Sequence, residues 1–317
     1  MNVSRLIPTA AVAGAVVLGL TALTACSASD AADHKNGDKL NVVASFYPMQ
    51  FLAEQIGGKH VSVTTLTKPG VEPHDLELTP RQIGGLGDAD YILYLKGIQP
   101  AVDDAIKQSG SKGAVDASTL TVLEDHGTET GADEHGHEHH GDEAGADPHI
   151  WLDPVKYAEV AKGVGKSLEK TDPDHAADYR KNTDALVDKL DALNTAYETG
   201  LKDTATKTFI TTHSAFGYLA ERYGLTQEGI AGVDPEAEPS PARISEIHTV
   251  ARKNKVTTVF FETLASDKTA KTLAKDTGLK TDVLDPLEGI TDKSKGDNYI
   301  EVMQSNLAAL QKALGAK

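Results

Sequence analysis

Residues 40–66 read LNVVASFYPMQFLAEQIGGKHVSVTTL, and the fold is legible from this stretch. LNVVAS (40–45) is a short run rich in β-formers. Residues 46–56 open on Phe46-Tyr47-Pro48, continue as a helical segment and stop at Gly57-Gly58. VSVTTL (61–66) alternates and is β-branched, the pattern of a second strand. Working outward, Thr79-Pro80 supplies an N-cap and a first helical residue, 89–95 is strand-like and 101–108 helical. After a break the alternation resumes with a strand at 208–212, helices after Ser214 and at 241–253, and a strand at 256–261. A helix at 266–277, a strand at 281–284 and a helix at 298–314 complete it. Such alternation argues for mostly parallel sheets flanked by helices.

Between the halves, 174–201 is the longest helical candidate. Tyr179, Leu186, Leu190, Leu193 and Tyr197 recur at steps of seven, four, three and four, one face of a helix. The expected architecture is two α/β lobes joined by one long rigid helix: an N-terminal lobe at 39–172, the linking helix at 173–201 and a C-terminal lobe at 202–317.

The first residues do not belong to that fold. Arg5 is followed by the apolar run 9–23, a secretory signal pattern too short for a comfortable membrane span. Leu23-Thr24-Ala25-Cys26 reads as a lipobox, so 1–25 is expected to be a signal peptide and Cys26 a lipidated residue on a tether, 26–38. Cys26 is the single cysteine, which excludes an internal disulfide. The expected location is extracytoplasmic, on the outer face of the cell membrane. Lys+Arg number 31 against 47 Asp+Glu, a formal net charge of −16. Such a chain repels nucleic acid and attracts cations.

The chemistry lies in histidines. His74 sits in KPGVEPHD (68–75) after the second strand, His149 in DPHIW (147–151), and His213 ends the 208–212 strand. In open α/β sheets ligands bind beyond the carboxyl ends of strands. Asp285, in Leu284-Asp285-Pro286, holds the equivalent place after 281–284. Three imidazoles and a carboxylate make a four-coordinate N₃O set suited to Zn²⁺. His60, His175 and His248 have polar surroundings and no matching partner, so they read as structural. Trp151 reads as a core aromatic, and Glu262 as an acceptor that orients a ligating imidazole or as a surface group.

A second constellation occupies 124–146, expected to be a disordered loop. It holds His126, His135, His137, His139 and His140 among Asp, Glu and Gly, with no apolar residue larger than Ala. It is expected to bind additional zinc without fixed geometry.

Three segments, PGVEPHD (69–75), DPHIWLDP (147–154) and TTHSAFGY (211–218), resemble signatures of the ZnuA-like family, zinc- and manganese-binding subunits of bacterial ABC transporters. The similarity runs from about residue 40 to the end and includes the His/acid-rich insertion before Asp147. The resemblance implies two lobes with metal held in the cleft between them. His74, His149 and His213 match three ligands, and Asp285 matches an acidic ligand from the C-terminal lobe. Manganese-type relatives commonly carry Glu at the third position, so His213 favours zinc. Some zinc-type relatives have Glu directly before the first His; Pro73 stands there in this chain, with Glu72 one further back. The implied function is zinc capture for a membrane permease by a monomer, binding rather than catalysis. Alternatives are a manganese-selective subunit, an exported zinc hydrolase or a metal-binding adhesin.

Overall fold

Alternate residues of the first strand face two different cores. Leu40, Val42 and Ala44 of β1 (Leu40–Ala44) join one apolar cluster and Val43 joins another. A strand covered on both faces reads as a near-continuous apolar run, the signature of a parallel sheet between helical layers. The computed structural model of the chain describes residues 39–126 and 146–317. The expected signal peptide 1–25, Cys26 and its tether 26–38, and His135, His137, His139 and His140 lie outside the described residues.

β1 pairs in parallel with β2 (Val61–Thr65) on one side and β3 (Tyr91–Tyr94) on the other, and β4 (Ala114–Asp116) extends beyond β3. The second sheet repeats this plan: β5 (Thr208–Thr211) lies between β6 (Thr226–Gly229) and β7 (Thr258–Phe261), with β8 (Lys280–Val283) outside β7. Each sheet therefore runs second-first-third-fourth, and its strand order reverses beside its own first strand. A ligand-binding crevice opens at such a reversal, past the carboxyl ends.

Helices α1 (Tyr47–Gly57), α2 (Pro80–Gly87) and α3 (Pro100–Ser109) flank the first sheet, and α4 (Pro154–Thr171) follows the 3-10 turn Ile150–Leu152. Thr79 and Gln82 form a reciprocal capping box ahead of α2, with Pro80 in its first turn. α5 (Ala176–Gly200), 25 residues and about 37 Å long, begins after the 3-10 turn Pro173–His175. Its buried face, Tyr179 to Tyr197, lies in the shared apolar core. Asn182 donates to Ile56 O at the end of α1 (2.9 Å), and Tyr197 donates to Met303 O (2.7 Å) on α9 (Tyr299–Leu314). One helix thus packs on elements of both lobes.

α6 (Gly217–Arg222), α7 (Pro241–Lys253) and α8 (Lys268–Thr277) complete the second lobe, where Ile210, Val259, Ile247 and Leu273 form a separate cluster. Phe209 and Phe260 point the other way into the shared core. Two strands escape the reading of the sequence, β4 and β6. Both are sheet edges, and Ala-Val-Asp and Thr-Gln-Glu-Gly carry little apolar signal.

Candidate metal centre

Turns past strand ends deliver most of the site's polar residues. After β2, Val71 N donates to Lys68 O and Leu76 N to Pro73 O, with Gly70 at φ +81°, and these turns present His74. His149 lies elsewhere than at a strand end: it precedes the 3-10 turn leading to α4, and Asp147 Oδ1 accepts from its backbone N–H at 3.0 Å. His213 lies two residues past the end of β5, its carbonyl accepting from Thr211 Oγ1 and Gln227 Nε2.

The three imidazoles converge. Ring centroids are separated by 5.6 Å (His74–His149 and His149–His213) and 6.3 Å (His74–His213). The carboxylate among them is Glu288, with Oε1 3.4 Å from Nε2 of His74, 3.4 Å from Nε2 of His149 and 3.5 Å from Nε2 of His213. All four ligand atoms lie within 4.8 Å of one another. Nε2 of His149 and of His213 and Oε2 of Glu288 are buried with no hydrogen-bond partner, the costly condition a bound cation relieves. Zinc–ligand bonds of about 2.0–2.1 Å give a tetrahedron with edges of about 3.3 Å, close to the separations from Glu288.

Asp285 takes a different place from that expected. Its Oδ1 accepts from Leu287 N (2.9 Å), its Oδ2 accepts from Thr263 Oγ1 (3.2 Å), and its backbone pairs with the Asn306 amide. Both oxygens are engaged in shaping the turn after β8. Leu287, at φ +59°, reverses the chain and delivers Glu288 instead.

Two carboxylates orient the imidazoles. Asp147 Oδ1 lies 2.8 Å from Nδ1 of His149, and Glu262 Oε1 lies 2.8 Å from Nδ1 of His213 while accepting from Thr212 Oγ1. β5 and β7 are neighbours, so the residues just past their ends meet. A carboxylate holding Nδ1–H fixes the tautomer that offers Nε2 as the ligand atom. Burial alone would lower the two histidines' pKa values; instead Asp147 and Glu288 raise that of His149, and Glu262 and Glu288 carry that of His213 well above the imidazole range. Burial would raise Glu288, yet the three histidines gathered around it hold it well below the usual carboxylate range. Glu72 accepts from His74 N, and burial beside Glu288 pushes it up to about 9.

The sequence reading did not pick out Glu288, nor the part played by Asp147. The signal for Glu288 was thin: a second acid three residues past Asp285 in Asp285-Pro286-Leu287-Glu288. His60 and His175 stack at 3.8 Å and bond to Asp178 and Asp172, and neither belongs to the cluster. Trp151 is fully buried, its ring 5.1 Å from that of His149, and Nε1 donates to Pro286 O across the lobes. His126 stands beside Asp147 rather than among the three histidines.

Residues 42–313 match the family described as zinc-uptake complex component A, periplasmic. The chain belongs to the ZnuA family. It is 40% identical over 297 residues to the high-affinity zinc uptake system protein ZnuA of Bacillus subtilis, covering 92% of each chain. It is 38% identical over 295 residues to the zinc-binding lipoprotein AdcA of Streptococcus pneumoniae, covering 91% of this chain but 58% of AdcA, little more than half its length. The Zn(II)-bound ZnuA-like domain of that AdcA superposes with a TM-score of 0.73 at 35% identity, covering 87% of this chain and 99% of that domain.

Proposed function

We propose that this chain captures extracytoplasmic Zn²⁺ with high affinity and delivers it to the permease of an ABC transporter for zinc uptake. The observation that carries this reading is the convergence of three Nε2 atoms on one carboxylate oxygen at tetrahedral spacing. The donor set favours zinc over manganese, which prefers a site with more oxygen. Glu288 fills the fourth position that a hydrolytic zinc would keep for water, so binding is favoured over catalysis.

The exposure of the donors suggests an order of capture. His74 retains 11% of its side-chain accessibility, whereas His149 and Glu288 retain 0% and His213 2%. An arriving ion meets His74 first and sheds water as it passes inward. A cavity of about 190 Å³ between Thr67–Pro69 and Gly289–Ile290 opens on Glu288, at the seam of the lobes. Release requires separating these groups.

No helix among the described residues is long and apolar enough to cross a membrane. Anchoring is assigned to a lipid on Cys26, as the lipobox suggests, with the chain acting as a monomer on the outer face of the cell membrane. The histidines of 127–145 are assigned to collecting additional zinc.

The test is metal analysis of protein purified without added metal, followed by competition between zinc and manganese. One tightly held zinc per chain that excess manganese does not displace is expected. Manganese displacing zinc, or full affinity retained after His74→Ala, His149→Ala or His213→Ala, overturns the assignment.

A further inference from the structure

Asp147 serves two imidazoles. Its Oδ1 holds Nδ1 of His149, and its Oδ2 lies 3.1 Å from Nδ1 of His126. His126 therefore repeats the construction of the buried ligands: a carboxylate on Nδ1 and an Nε2 turned toward other carboxylates. Those are Glu221, with Oε2 at 2.7 Å, and Glu124, with Oε2 at 3.6 Å. The three ligand atoms lie within 4.8 Å of one another.

The surroundings hold this group in place. Asp147 N donates to Glu124 O (2.9 Å), Glu124 N donates to Tyr218 OH (2.8 Å), and Tyr218 OH donates to Asp147 O (2.7 Å). The two ends of the segment 124–147 are thus tied together on α6. The Tyr218 ring packs edge-on to His126 at 4.2 Å. A Cβ on Gly217 would meet His126 Cβ at 2.4 Å and Asp147 Oδ2 at 2.8 Å, so glycine there is what lets His126 approach. Lys156 takes Oε1 of Glu124 (2.6 Å) and Val122 O, which fixes that carboxylate and leaves Oε2 toward His126.

We propose that Glu124, His126 and Glu221 form a second, weaker divalent-cation site at the neck of the histidine-rich segment. Through Asp147 it lies one carboxylate away from the tight centre. It has one imidazole and two partly exposed carboxylates, so it holds an ion loosely enough to pass it on. The inference takes zinc as the cargo, as proposed above. It concerns a different set of ligands.

The test uses the full mature chain preloaded with one equivalent of Zn²⁺ and titrated with Co²⁺, followed by NMR of backbone amides. Cobalt binds such sites less tightly than zinc and leaves the first equivalent in place. Broadening centred on the amides of 124, 126, 217 and 221 is expected. Glu221→Gln should require at least about tenfold more Co²⁺ for the same broadening, the least that loss of a ligand costs when outer partners alone are worth about 10–100-fold. That exposed substitution should leave the first zinc in place. Broadening confined to 127–145, or unaltered by Glu221→Gln, overturns the proposal. It would leave His126 as a proton-bridged pair with Glu221. Failure to retain the preloaded zinc through gel filtration would instead count against the tight centre, so the two readings fail separately.

Discussion

Glu262 Oε1 meets Nδ1 of His213 at 2.8 Å, a contact made possible because β5 and β7 are neighbours where the strand order of their sheet reverses. The strand topology thus orients the His213 imidazole at one remove. Glu262→Gln keeps the shape but loses the charge, and an amide can present its N–H₂ as well as its oxygen to Nδ1. We expect zinc affinity to fall by about 10–100-fold with the ion count unchanged at one tight equivalent, read by competition with a chromophoric chelator. Unchanged affinity would reduce Glu262 to a structural partner of Thr212.

The two acids of the turn after β8 divide the work, and substitution separates them. Glu288→Gln removes the carboxylate that meets the three Nε2 atoms and is expected to weaken zinc binding severely with little loss of fold. Asp285→Asn disturbs a buried acceptor of Leu287 N and Thr263 Oγ1 and should cost about 1–3 kcal/mol of stability. Chemical denaturation of the metal-free variants alongside their zinc affinities checks this. Tight binding by Glu288→Gln would return the fourth position to another group.

That turn also marks where the sequence stops being readable. His74, His149 and His213 stand out because each sits in a segment whose neighbours restrict the backbone or end a strand. Choosing between Asp285 and Glu288 depends on the hand of a three-residue turn, set by Leu287 at φ +59°, and a branched apolar residue gives no warning of that conformation. The central strands were visible because Val42, Val43, Ile210 and Val259 are buried on two faces. Edge strands β4 and β6 were not, since their outer sides need no apolar residues. Asp147 lay in plain view beside Pro148-His149. Its double role depends on Gly217, 70 positions away, which no local pattern connects to it.

Stability of the metal-free and zinc-loaded forms should diverge with pH. His149 and His213 are raised above the ordinary 6.5, and Glu72 is raised from 4.5 to about 9, burial opposing the first two and driving the third. Through these three groups the folded, metal-free chain holds more protons than the unfolded chain between about pH 4.5 and 9, so their contribution to stability falls as pH rises there. For the imidazoles the contribution is complete below about 6.5 and disappears as pH passes their raised folded values. Zinc displaces those protons, so its affinity gains roughly tenfold per pH unit for each proton released. Melting curves with chelator and with zinc at pH 5 and pH 8 should show a gap that widens at the higher pH. Parallel shifts would mean that the imidazoles do not exchange protons for metal.

Trp151 offers a direct reading of the centre, because it is the only tryptophan in the chain and its ring lies 5.1 Å from that of His149. Its indole N–H also donates to Pro286 O, two residues before Glu288, and its own carbonyl accepts from Tyr299. The fluorophore is therefore fixed between His149 of one lobe and the turn that carries Glu288 of the other. A protonated imidazole at this range quenches indole emission. Replacing that proton with zinc, which has a filled d shell and no redox chemistry, should raise the emission. The rise is expected to saturate at one equivalent of Zn²⁺ and to be absent in His149→Ala, while Glu221→Gln should show it in full. A response that continues through further equivalents, or survives loss of His149, would detach Trp151 from the tight centre.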